Sequence, residues 1–313
     1  MKVGISSCLL GNEVRYDGQH KLDRFLRDEL GKYVEWYPLC PEMECGLPIP
    51  RESMRLVGDD PENPRLLTVR SKRDITPQME NYTVKRLDQL ASEKLRGFVF
   101  KSKSPTSGMR GVKIYTEQGL PSRSGSGIFA REFMKRFPNL PAEDEGRLHD
   151  AAIRENFIET LFVFDRWRTF LETDASPAGL IAFHSTHKYL LMAHAPAGLR
   201  EAGKIVAAAK RPKLQESLEN YESVLIKTLR LHATVKKHVN VLQHIMGYFK
   251  DLLSSDEKQE LLEVIARYAK SYVPLIVPIV LLNHYVRKYD EPYLKNQWYL
   301  HPHPDELKLR NHA

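Results

Sequence analysis

The chain has 313 residues, about twice the common single-domain length, which predicts two domains, each large enough to bury its own core. Its 42% hydrophobic and 28% charged content is that of an ordinary globular protein and excludes disordered, collagen-like and coiled-coil classes. A net charge of +7 tolerates anionic partners, but no Lys/Arg block is long enough to act as a nucleic-acid arm, so small phosphorylated ligands are as good a fit as a polynucleotide. In chain order, Lys2 to Leu10 reads as a buried strand, Phe25 to Leu30 as part of a short helix, Val34 to Cys40 as a second strand and Phe98 to Lys101 as a third. Before that third strand, Met79, Val84, Leu87, Leu90 and Leu95 recur with helical period. Strands alternating with helices predict an α/β domain with a small parallel sheet.

A short acidic, proline-marked segment, Pro138 to Gly146, then reads as a linker between domains 1–140 and 146–313. Beyond it Ile153, Phe157, Leu161, Phe164 and Leu171 form one apolar helix face, and Ser254 with Glu257 spells a capping box. The second domain is expected to be all-α. Its most apolar run, VPLIVPIVLL, is about half of what a membrane helix needs and holds two prolines, so it reads as a buried helix.

Only three cysteines occur, Cys8, Cys40 and Cys45. With no signal peptide before the first, the expectation is a reducing, cytoplasmic setting and no disulfide framework. Each falls at or just beyond the carboxyl end of an expected strand, where parallel sheets collect their chemistry. The third strand opens into KSKSPTSG, around Ser104 and Ser107. Three thiolates on one crevice suit a soft metal centre with one position left open, such as an iron–sulfur cluster. A zinc site, a Cys40/Cys45 redox pair and a merely buried Cys8 are the rival readings.

At these residues the chain resembles the TudS-type thiouracil desulfidase family. The matching pieces are SSCLLG-x-x-VRYDG at 6 to 18, LCPE and GLPIPR at 39 to 51, RDIT at 73 to 76 and KSKSPTSG at 101 to 108. From about residue 146, FHSTHKYLLMAH and HVNVLQHIMGYFK resemble a second, YbgA-type domain of unknown function. The resemblance implies a 4Fe-4S cluster held by three cysteines, whose open iron takes sulfur from a thiolated uracil base or nucleotide in a non-redox, hydrolytic reaction that releases sulfide. Cys8 and Cys40 match two of its ligand positions. At the third the chain carries Ser107, and Cys45 stands where the family usually has glycine, so Cys45 is the expected relocated ligand and a clusterless site the alternative. Glu42 and Ser104 are the expected catalytic residues, one moving protons and the other positioning water or substrate. Ser7, Arg51, Lys101 and Ser107 are the expected substrate contacts, and Gly125 and Gly127 offer a weak phosphate cradle ahead of a helix. The expected partner is a small thiolated pyrimidine, with no membrane and room for a homo-oligomer. The rival function is a nucleic-acid-associated binding protein with a structural iron–sulfur or zinc site. The histidines of the second half, His184, His187, His194, His238 and His244, carry no metal spacing and are expected in packing roles.

Overall fold

The computed structural model describes residues 1–312 and divides into two compact units, Met1–His149 and the remainder from Asp150.

In the first unit, β1 (Lys2–Ser6) runs into a 3-10 turn, Ser7–Leu10, that carries Cys8. The expected helix near Phe25 is one wide turn, Phe25–Glu29, tightening into Leu30–Lys32. There follow β2 (Glu35–Leu39), the single-turn helix α1 (Pro41–Glu44), β3 (Met54–Val57), β4 (Arg65–Thr68), α2 (Thr76–Ser92), β5 (Phe98–Phe100), β6 (Val112–Tyr115), β7 (Pro121–Gly125), α3 (Ile128–Arg136) and β8 (Ala142–Asp144). The expected parallel sheet is present, in the order β2-β1-β5-β8, with every pairing parallel. Gly4 lets β1 lie beside β5, because a Cβ there would sit 2.2 Å from the Phe98 ring. Phe98, Phe100, Phe129 and Phe133 fill the core on one side of this sheet.

Two features depart from the sequence reading. A second sheet, β4-β3-β6-β7, packs on its own core of Leu56, Leu66, Ile75, Met79 and Ile114; its strands are four or five residues long and punctuated by glycine and proline, which hides their alternation. The segment 138–146 is also not a linker. Residues 142–144 form the edge strand β8 on β5, and the unit ends at His149. Its acidic residues look solvated in sequence but are buried: Glu143 and Glu145 pair with basic side chains, and Asp144 accepts the Arg147 backbone N–H. In α2 the buried stripe is Met79, Thr83, Leu87 and Leu90, with the Thr83 hydroxyl bonded to the Met79 carbonyl, while Val84 is 64% exposed.

The second unit is all helical: α4 (Ala151–Thr173), α5 (Pro177–His194), α6 (Pro196–Ala208), α7 (Leu214–Leu229), α8 (Val235–Met246), α9 (Ser255–Ala269), α10 (Ile276–Lys288) and α11 (Pro292–Lys295). Asp150 caps α4, and Ser254 with Glu257 closes the capping box on α9 as expected. The apolar run on α10 is amphipathic rather than wholly buried: Ile279, Leu282 and Val286 face inward, while Val280 is 60% exposed. No helix among the described residues is long and apolar enough to cross a membrane.

Candidate active site

The strand ends of the parallel sheet meet over a cavity of about 380 Å³. The turn after β1 supplies Ser7 and Cys8, the end of β2 supplies Cys40 and Glu42, and the loop after β5 supplies Lys101, Ser104, Thr106 and Ser107. Arg15, Tyr16 and Arg51 complete the rim. Pro41 at the first helical position starts α1 immediately after Cys40, so that the Cys40 thiol and the Glu42 carboxylate share one cavity.

Glu42 is gripped on both oxygens. Arg51, whose side chain is only 4% exposed, donates to Oε2 through Nε at 3.0 Å and through Nη2, which also reaches the Val14 carbonyl at 3.0 Å. Thr106 Oγ1 donates to Oε1 at 2.9 Å, and Ser104 Oγ lies 3.5 Å from the same oxygen and 3.0 Å from Thr106 Oγ1. One carboxylate thus joins the β2 loop to the β5 loop. Burial pushes the Cys8 thiol up to about 11, against the pull of Lys101, and raises Cys40 for the same reason.

Three expectations are corrected here. Cys45 does not line the cavity. It closes α1 and packs against the second sheet's core, its Sγ 3.2 Å from the Glu42 carbonyl. Arg51 and Lys101 line the cavity but are not free substrate cations: Arg51 is committed to Glu42, and Lys101 pairs with Glu145, whose carboxylate also accepts from the Ser102 backbone and, at 2.9 Å, from the Ser102 hydroxyl. The phosphate cradle at Gly127 is filled by protein. A Cβ there would meet the Thr106 carbonyl at 2.5 Å, and the N–H groups of Gly127, Ile128 and Ala130 bond to the carbonyls of Gly108, Pro105 and Thr106. Ser7, Ser104 and Ser107 do line the cavity, with Ser7 Oγ accepting from Asn12 at 2.8 Å. Thr106 and Glu145 were missed; the first stood between two serines in SPTSG, and the second belonged to the acidic run that reads as a linker.

In the second unit His184, His187, His194 and His238 are hydrogen-bonded within the protein. His187 Nε2 accepts from Arg166 at 3.1 Å, and His238 Nδ1 lies 3.0 Å from the Tyr299 hydroxyl. His194 sits between the Leu231 carbonyl at 2.7 Å and Glu159 at 2.6 Å, and Arg310 reaches Glu159 at 3.1 Å and Glu155 at 3.4 Å. Burial holds His238 down at about 3 and lifts Glu155 to about 7. Among the described residues, neither unit holds three His, Cys, Asp or Glu side chains arranged to grip a metal ion.

Residues 3–145 match the family model described as 2-thiouracil desulfurase, and residues 188–304 match a model described as a protein of unknown function, DUF1722. The first match falls within the second unit and the second within the first The chain is also similar to "Uncharacterized protein YbgA" of Escherichia coli (strain K12), 28% identical over 152 residues, covering 48% of this chain and 90% of that protein. A solved structure named as the 4Fe-4S-dependent thiouracil desulfidase TudS aligns at 28% identity over 49% of this chain and 96% of that chain, with a TM-score of 0.39. The desulfurase match ends at the residue after β8, so the cavity and both of its buried ion pairs lie wholly inside it.

Proposed function

We propose that the first unit desulfurates a thiolated uracil base or nucleotide in the crevice at the strand ends. The family match supports the reaction class. The observation that carries the assignment to this cavity is that two thiols, Cys8 and Cys40, share it with a carboxylate anchored by Arg51 and Thr106. The volume, about 380 Å³, falls at the lower end of the roughly 300–1,000 Å³ of small-molecule sites, which suits a single pyrimidine ring with its substituents.

The reaction exchanges sulfur for oxygen: water adds to the thiocarbonyl carbon, the C–S bond breaks and hydrogen sulfide leaves, with no net electron transfer. The chain's part is to bind the ring, exclude bulk water and move protons. Oε2 of Glu42 is occupied by Arg51, so proton exchange runs at Oε1, through the Thr106 and Ser104 hydroxyls that already contact it. Ser104 stands close enough to orient the incoming water. The cluster implied by the resemblance needs three cysteine ligands. The cavity offers two, with Cys45 outside it, so the donor set does not match and the proton pathway is argued without it.

The test is an anaerobic assay of the full chain, after reconstitution with iron and sulfide, against thiouracil and its nucleotide. Loss of the thiocarbonyl absorbance together with uracil and sulfide release is expected. A reconstituted, folded chain that leaves both substrates untouched refutes the assignment.

A further inference from the structure

The mismatch between three required donors and two crevice cysteines has a local solution. Ser107 is buried, lines the cavity with Cys8 and Cys40, and its hydroxyl has only a loose side-chain contact, Thr106 Oγ1 at 3.5 Å. Its backbone, by contrast, is fixed. The Ser107 N–H donates to Ser104 Oγ at 3.1 Å, Gly108 N–H donates to the Ser104 carbonyl at 2.8 Å, and the carbonyls of Pro105, Thr106 and Gly108 take the first N–H groups of α3. A rigid loop therefore presents one weakly engaged hydroxyl to the thiols.

Cys45 is held just as firmly elsewhere. Gln78 Nε2 donates to its carbonyl at 2.7 Å, the Leu47 N–H bonds back to Glu42 at 3.1 Å, and Leu47 is buried in the second sheet's core. Turning Cys45 into the cavity would break this anchor and pull a buried leucine with it, at a cost of roughly 2–3 kcal/mol for the apolar side chain alone.

We propose that the crevice binds its iron–sulfur centre through Cys8, Cys40 and the Ser107 oxygen, with Cys45 as a packing residue. This rests on the desulfurase reading. A hydroxyl must lose its proton to ligate iron, and oxygen is the harder, less matched donor beside two thiolates, so the centre is held less tightly than by three cysteines.

The experiment is anaerobic reconstitution of the full chain with ferrous iron and sulfide. Bound iron, its visible spectrum and its survival under an iron chelator are measured for wild type, Cys45→Ser, Ser107→Ala and Ser107→Cys, with thermal unfolding and thiouracil turnover in parallel. Wild type and Cys45→Ser should load equally, Ser107→Ala should lose most of its iron, and Ser107→Cys should resist the chelator several-fold longer. Loss of iron from a folded Cys45→Ser, or wild-type loading and retention in Ser107→Ala, overturns the proposal while leaving thiouracil turnover to stand on its own. Loading through Ser107 without turnover overturns the desulfurase reading and keeps the ligand assignment. A wild-type chain that takes up no iron overturns both the ligand set and the centre it would hold.

Discussion

Both units bury charge, but they place it differently. In the first, the Glu42–Arg51 and Lys101–Glu145 pairs tie together loops from different strand ends around a cavity that also holds two thiols. In the second, Glu159 is shared by His194 and Arg310 in a helical core, and the adjoining cavity of about 280 Å³ contains no cysteine. Buried ion pairs alone therefore do not mark a reactive centre in this chain; a buried pair beside polarisable nucleophiles does. Removing one partner of such a pair is costly in either unit, because the other is left charged in a dry environment.

The sharpest way to break the comparison is at Glu42. Glu42→Gln should cut desulfuration by roughly 100- to 10,000-fold, the usual contribution of an acid–base group, measured as sulfide release at equal protein folding. A second effect separates chemistry from anchoring. Arg51→Met should destabilise the first unit by roughly 3–5 kcal/mol, since it strands Glu42, and pairing it with Glu42→Gln should recover much of that loss without restoring turnover. Denaturant unfolding of the two single variants and the double variant reads this directly; additive losses would show that the pair is not coupled. Next in size is the boundary. A chain ending at His149 should fold, whereas one ending at Phe137 lacks β8 and the Glu145 partner of Lys101 and should be largely insoluble; equal solubility of the two would return 138–146 to the role of a linker.

Legibility in the sequence followed the range of the forces involved. The parallel sheet and the helical half were readable because periodicity and strand–helix alternation are local signals, and Cys8, Cys40, Glu42, Ser104 and Ser107 could be named because each ends a strand or opens its loop. Orientation one turn beyond a strand was not readable. Cys45 is only five residues past Cys40, but α1 turns it onto a different core. Pairing across long separations was equally hidden: nothing in the composition near Arg51 or Lys101 says that Glu42 and Glu145 neutralise them. The 138–146 segment failed for the same reason, since acidic residues in a short run look solvated until their basic partners, 44 residues away for Lys101 and Glu145, are known.

The smallest expected effect lies in the second unit and is a pH dependence. Burial lifts Glu155 from an ordinary 4.5 to about 7, with Glu159 adding to the shift and Arg310 opposing it. The folded chain therefore holds this proton more tightly than the unfolded one, so the group's contribution to stability is complete below about pH 4.5 and is lost as pH rises through about 7. His238, held down at about 3 by burial, has the opposite trend: its contribution is present above about 6.5 and lost as pH falls through about 3. Comparing Glu155→Gln with wild type isolates the first. The stability of wild type relative to the variant should decline from pH 5 to pH 7.5, and a constant difference across that range would contradict the assignment.

The central claim is that thiouracil loses its sulfur in the crevice of the first unit. The most direct measurement compares wild type with Cys8→Ser, both folded and reconstituted anaerobically, for uracil and sulfide formed from thiouracil. Wild type should release sulfide and uracil in equal amounts, and Cys8→Ser should release neither. Wild-type turnover by Cys8→Ser would place the reaction elsewhere and contradict the account.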